Sequence, residues 1–440
     1  MFSDKRGLEL SAATADAASA FDHVLDGYLS MRRDTGDRLK ALFAADADMP
    51  MAFVLKSYFC MLMATGSLQS AAQKAAAEAR ARAEAANERE RLHIEAAENW
   101  SHGRKRRAIA CWEAILAVYP LDILALRLAH HGHFYEGNGQ NLRDTIARRL
   151  HAWNEDVPDF GFVLGMLAFG LEETHAYDAA IETGKRALAQ NPVDPWAVHA
   201  VAHVHEMRDA HDDGIAWIDA NADGWQSANG FRYHVWWHRM LMQIDKGDYA
   251  DVLSLYDNTL WDPDSDEYLD LVNDAAVLLR LELHGQDVGD RWHALAEKCA
   301  PHVTDQILAF IDVHYGIALT AAGHKGADEL MQSLQGYAGM RGEENAQITR
   351  DVGIPLVEAV MAHRAGQYDA VIEILLPIRY DFYRMGGSHA QRDLFAMVLI
   401  DAAIKGGRQN VASMLLSERL LRLPTNAWTL ARAGDIGLAA

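Results

Sequence analysis

The sequence predicts an all-α protein made of helix pairs stacked in series. Three observations predict it. Apolar residues recur at three- and four-residue spacing along nearly the whole chain, while strand-like alternation is almost absent. Alanine is abundant and proline scarce, at 10 of 440 residues. Short helical segments close at Gly, Asp or Pro with a period of about 34 residues, that of a tetratricopeptide repeat.

Taken in order, residues 1–65 predict a helical N-terminal cap, which an array needs to cover its apolar end. The cap is expected to run continuously into an α-solenoid over residues 66–440, giving one structural domain. Ala71–Trp100 is alanine-rich with interleaved charge and reads as structural helix. "GRKRR" (Gly103–Arg107) reads as a solvated helix start or turn. Ala108–Pro120 is a second helix ending at its proline. Gly161–Pro192 is the clearest unit. Leu164, Leu167, Ala168, Leu171, Ala180 and Ala187 stand where two helices must approach, and Pro192 stops the second. Pro195 opens the next unit. Asp245–Tyr256 and Arg364–Leu375 carry a Gly-x-Tyr turn into a second helix, and Ser413–Pro424 is a late example. The array should hold roughly eight to ten units. Leu334–Gly353 and Tyr383–Asp393 contain glycines and are expected to be loops at the lip of a groove.

Composition narrows the function. There are 62 acidic and 41 basic residues, a formal charge of -21. Such a surface repels phosphate backbones, so no nucleic-acid partner is expected. The 3 cysteines are far apart and suit a reducing cytosol. The opening residues have no signal-type apolar stretch, and no run of about 18 apolar residues predicts a membrane span. A cytoplasmic protein without membrane contact is therefore expected. Exposed repeat ends also offer a surface for a homodimer.

The 21 histidines matter most by placement. In a tetratricopeptide-type first helix, the second, fifth, ninth, twelfth and thirteenth positions face the concave groove. Counted from Pro195 these are Trp196, His199, His203, Glu206 and Met207, with His205 on the packing side. In neighbouring units the same register aims His131, then Phe162, Phe169 and Glu172, then His234 and Trp237, inward. His238 lies one turn after His234. Apolar walls with a few converging polar groups describe a small-molecule pocket. His199 and His203, at i,i+4, can share a divalent metal such as Zn or Fe. A histidine beside Glu206 or Glu172 can instead serve as a general base without metal. The plainer alternative is histidines hydrogen-bonded to carboxylates, since neither HExxH nor CxxC is present. In "GGSHAQRD", Ser388 and Gln391 fit a capping box, which leaves His389, Arg392 and Asp393 at a helix start to meet a ligand. Asp312 and His314 diverge on one helix, and His314 reads as a packed core histidine. Trp112, Trp153, Trp217, Trp225, Trp261 and Trp292 read as inter-helix packing.

These stretches carry a resemblance. "GLELSAATADAASAFDHVLDGYL", "DADMPMAFVLKSYFCML", "VHAVAHVHEM", "YHVWWHRMLMQIDKGDYADVLSLYD", "LLRLELHGQDVGDRW" and "GGSHAQRDLF" together resemble the tetratricopeptide repeat protein 38-like family over nearly the whole length. The resemblance implies a cytosolic helical-repeat protein and brings no activity with it. His205 departs from the apolar residue expected there. Two functions follow as expectations. The first is a module binding a small molecule or short peptide in a His/aromatic groove. The second is an enzyme, such as a hydrolase, using His199, His203, Glu206, His234 and His238 for metal-assisted or acid/base catalysis.

Overall fold

Several helix starts among the described residues are set by side-chain caps. Thr14, Asp122, Asn138 and Asn426 each accept a hydrogen bond from a backbone N–H in the first helical turn. Asn87 with Glu90, and Ser388 with Gln391, form complete capping boxes. Pairing of helices is set by the turns between them. The Gly-x-Tyr turns place Gly247 at φ 84° and Gly366 at φ 72°, a conformation only glycine adopts without strain.

A computed structural model describes residues 2–340 and 342–438. It is a tetratricopeptide-like, all-α repeat fold. First helices of successive pairs begin at Glu88, Ile123, Phe160, Pro195, Phe231 and Tyr268, 35 to 37 residues apart. The one sheet among the described residues is a two-residue antiparallel pair, Phe2–Ser3 with Glu9–Leu10, which sequence periodicity did not anticipate. It forms because a turn at Gly7 (φ 82°) lets Asp4 accept backbone N–H groups of Arg6 and Leu8 at 2.9 Å each.

The chain forms two compact units. The first holds the residues up to Val201 together with Asn221–Arg232. Its apolar core runs without a break from Leu10 through Trp112 to Ala197. The cap helices Ala15–Leu29, Thr35–Ala45 and Pro50–Leu62 share that core. Segment 221–232 joins this unit through the Asn229 N–H donating to the Met31 carbonyl at 2.7 Å. Helices Gly139–Ala147 and Phe160–Glu172 approach so closely that a Cβ at Gly170 would lie 2.5 Å from Arg143 Cα. The second unit holds Ala202–Ala220 and the residues from Tyr233 onward. Its helices include Phe231–Lys246 (from Tyr233), Tyr268–Leu283, Ala309–Ala321 and His389–Lys405.

Three local expectations change. Ala71–Trp100 is two helices, Gly66–Ala81 and Glu88–Ser101, because the Asn87 box starts a new helix within the alanine-rich run. Leu334–Gly353 is mostly helical. Helix Gly326–Ala338 takes its start, a short helix covers Glu344–Ile348, and a π turn covers Thr349–Gly353; Arg341 lies outside the described residues. In Tyr383–Asp393 the irregular part shrinks to Gly386–Ser388, between a 3₁₀ turn and the capped helix.

Candidate functional site

In the first unit the predicted residues form an aromatic cluster. His199 sits against Phe169, Trp196 and Phe231, with ring centroids 5.2, 5.0 and 5.1 Å away. The Arg127 guanidinium lies 4.2 Å over the Trp196 ring. His131 packs on Tyr135 (4.9 Å) and Trp100 (6.2 Å). Burial, with Arg127 nearby, lowers the His131 pKa to about 3, so the ring is neutral. Glu172 is fully buried and Phe162 half-buried. Of the imidazoles foreseen as lining an open groove, His199, His203, His234 and His238 are interior groups and His131 is half-buried, packed among aromatic side chains.

In the second unit three histidines come together. His203 and His238 are 0% exposed and His234 is 4% exposed. His203 follows Pro195 by two helical turns; His234 and His238 are one turn apart on Phe231–Lys246. The His203 and His238 rings are 4.1 Å apart, and His234 is 4.8 Å from His238. Each offers a nitrogen within 4.8 Å of the others'. Two of the rings are held from behind. His238 Nδ1 is 2.6 Å from Glu206 Oε2, and His234 Nδ1 is 2.9 Å from Asn273 Oδ1. Trp237 stacks on His234 at 5.1 Å and abuts His238 at 4.7 Å, which fixes the ring planes. Burial holds all three imidazoles below the ordinary histidine range, His234 at about 4. They are therefore neutral, the form that binds metals. Burial also pushes the Glu206 carboxyl up to about 8.

Glu206 also lines a small cavity, with an enclosed volume of about 20 Å³, enough for a water-sized group. Asp209, Asp245, Arg280, His284, Asp393, Arg419 and Asn426 form its other polar walls. Arg280 is almost fully buried. Its Nη1 lies 3.2 Å from Met397 Sδ, Nη2 donates to the Ala390 carbonyl, and Nε has no partner. Asp393 is gripped by both terminal nitrogens of Arg419. Burial would raise the Asp393 pKa, but Arg419 wins and holds it below the usual range. Asp393, foreseen as facing a ligand at a helix start, is thus committed to an internal ion pair. Arg392 Nη1 donates to the Gly387 carbonyl and Nη2 is 3.1 Å from His389 Nδ1.

Sequence reasoning missed Asn273, Asp209, His211, Asp245, Arg280 and His284. A signal existed for four of them. Asp209, His211, Asp245 and His284 all stand where a first helix ends, in successive units, so aligning helix ends rather than helix faces would have grouped them. His314 is where it was expected. It is buried, with Nδ1 2.7 Å from the Phe310 carbonyl oxygen, and its Nε2 has no partner.

No known protein-family model matches the chain. Among solved structures, the chain is similar to the human IFIT1 dimer with PPP-AAAA. Identity is 12%, covering 95% of this chain and 88% of that one, with a TM-score of 0.39. It is also similar to an IFIT1 monomeric mutant with Gppp-AAAA, at 14% identity, 96% and 89% coverage, and a TM-score of 0.37. The likeness concerns the fold. It does correct one expectation. Helical-repeat neighbours solved with PPP-AAAA and Gppp-AAAA remove the ground for excluding nucleic acid from net charge. The physical reason is that -21 is a sum over the whole surface, whereas binding responds to the local field. Among the described residues, no helix is long and apolar enough to cross a membrane.

Proposed function

We propose that this protein is a cytoplasmic helical-repeat protein of the tetratricopeptide repeat protein 38-like type that binds a small ligand at a divalent transition-metal ion. His203, His234 and His238 hold the ion. The supporting observation is their convergence, with the Nδ1 atoms of His238 and His234 engaged by Glu206 and Asn273. Metal-bound imidazoles are oriented in this way, by a hydrogen-bonding group on one ring nitrogen. Three neutral nitrogen donors favour Zn or Fe over Mg or Ca.

Untagged protein, chelator-stripped and titrated with Zn²⁺ or Fe²⁺, is expected to take up the ion at this site. His203→Ala/His238→Ala should lose that binding while keeping its helical circular dichroism. A folded double variant with unchanged metal content overturns the reading.

A metal-assisted hydrolase is the second reading, favoured by Glu206, which touches His238 and also faces the cavity. In that role Glu206 handles the proton of a water attacking an ester or amide. Glu206→Gln should then keep the metal and lose turnover.

A further inference from the structure

The second unit contains another group of converging donors, built from helix ends rather than helix faces. His211 Nε2 lies 3.7 Å from Asp209 Oδ1 and 3.8 Å from Asp245 Oδ2. His284 Nε2 lies 3.8 Å from Asp245 Oδ1. Asp209, His211 and Asp245 each offer a ligand atom within 4.8 Å of the others'.

These separations are too long for hydrogen bonds, which need about 2.7–3.2 Å between N and O. They are close to the donor–donor edge of a tetrahedral ion with bonds of 2.0–2.2 Å, roughly 3.3–3.6 Å. The histidines also lack other uses for the atoms concerned. His211 Nδ1 is buried without a partner, so the ring makes no hydrogen bond. The His284 side chain is 5% exposed, and its Nδ1 is 3.2 Å from the Tyr249 hydroxyl, so that Nε2 is the nitrogen turned to Asp245. At these separations the imidazoles and carboxylates stand as neighbouring donors rather than as hydrogen-bonded pairs.

The surrounding residues hold the carboxylates in place. The Asn426 amide donates to Asp209 Oδ1 at 3.2 Å and to Asp245 Oδ2 at 3.3 Å. The Thr425 hydroxyl donates to Asp209 Oδ2 at 3.0 Å. Asp209 occupies a left-handed turn position, φ 53°, where the turns between other helix pairs carry glycines such as Gly247 and Gly366. Asp209 and Asp245 both line the cavity, which gives an ion a route and room.

The geometry points to a second divalent-cation site on Asp209, His211 and Asp245, with His284 standing behind Asp245. Mixed carboxylate and imidazole ligands suit Zn²⁺ or Mn²⁺. The site does not depend on the three-histidine centre, because the two share no ligand.

The test is metal stoichiometry in the full chain. Untagged, chelator-stripped protein is titrated with Zn²⁺, and bound ion is counted after gel filtration. In parallel, Co²⁺ titration is followed by its visible d–d bands. Wild type is expected to show a step that disappears in Asp209→Asn/Asp245→Asn and persists in His203→Ala/His238→Ala. His211→Gln should weaken that step at least tenfold with unchanged circular dichroism. If Asp209→Asn/Asp245→Asn is folded and loses no bound ion, the site is a polar network only. If His203→Ala/His238→Ala loses all metal while these aspartates are intact, the second site also falls. If it loses only part, the two sites stand apart.

Discussion

His93 in the first unit and His211 in the second are both histidines beside an aspartate, yet their surroundings differ. His93 Nε2 is 3.1 Å from Asp122 Oδ2, and its Nδ1 is 3.2 Å from the Tyr58 hydroxyl. Arg89 closes the network with a 2.6 Å bond to the same carboxylate oxygen, and the Ala125 N–H donates to the other at 2.8 Å. Both imidazole nitrogens and both carboxylate oxygens have partners within the protein. His211 faces two carboxylates at distances where no hydrogen bond forms. The difference teaches that a histidine next to an acid signals stability when the distances close, and a set of donors open to a ligand when they do not.

The largest expected effect is in the first unit. Asp122→Ala strands Arg89 and His93 in the core and should cost about 3–5 kcal/mol, read as a large fall in the unfolding midpoint with metal content unchanged. If the loss is below about 1 kcal/mol, the closed network is not what stabilises this unit.

Next is the response to metal. A ligand that binds only the folded state at a hundred times its Kd stabilises by about 2.7 kcal/mol. Zn²⁺ should raise the melting temperature of wild type, and the rise should shrink in His203→Ala/His238→Ala. Equal shifts in both would mean that the three histidines add nothing to the second unit's response.

The pH dependence of the first unit follows from Glu113 and Asp194. Burial would raise the Glu113 pKa, but His133, Thr145 and Arg149 lower it to about 2. A depressed carboxyl stabilises above its unfolded value near 4.3 and loses that contribution as pH falls toward 2. The contribution is about 3 kcal/mol in full and about 2 kcal/mol once discounted for solvent screening of this partly exposed carboxylate. Burial raises Asp194 to about 7 despite Arg127. Stability from a raised carboxyl is full below its unfolded value near 3.9 and is lost as pH rises through 7. Denaturant melts between pH 2 and 8 should show both flanks. Glu113→Gln should flatten the acid side and Asp194→Asn the neutral side.

The smallest effect is local. Ser388→Ala removes one half of a capping box and should cost about 1 kcal/mol, with metal binding unchanged.

Much of this was legible in the chain. The i,i+4 spacing of His199 and His203 and of His234 and His238 put each pair on one helix face, and "SHAQ" announced its own cap. The Asn87–Glu90 box was equally legible in "NERE" and was hidden only by the alanine run around it. Asp393 could not be placed, because its partner Arg419 belongs to a different helix 26 residues later. The same holds for Asn273 behind His234, 39 residues away.

The sequence by itself determined the helices, their pairing and which face of each carries imidazoles. Those follow from a 3.6-residue period, caps and glycine turns, all local in the chain. Tertiary structure alone decided which imidazoles closed their hydrogen bonds and which stopped short. That choice depends on separations of a few tenths of an ångström between side chains far apart in sequence, fixed by how neighbouring helices pack.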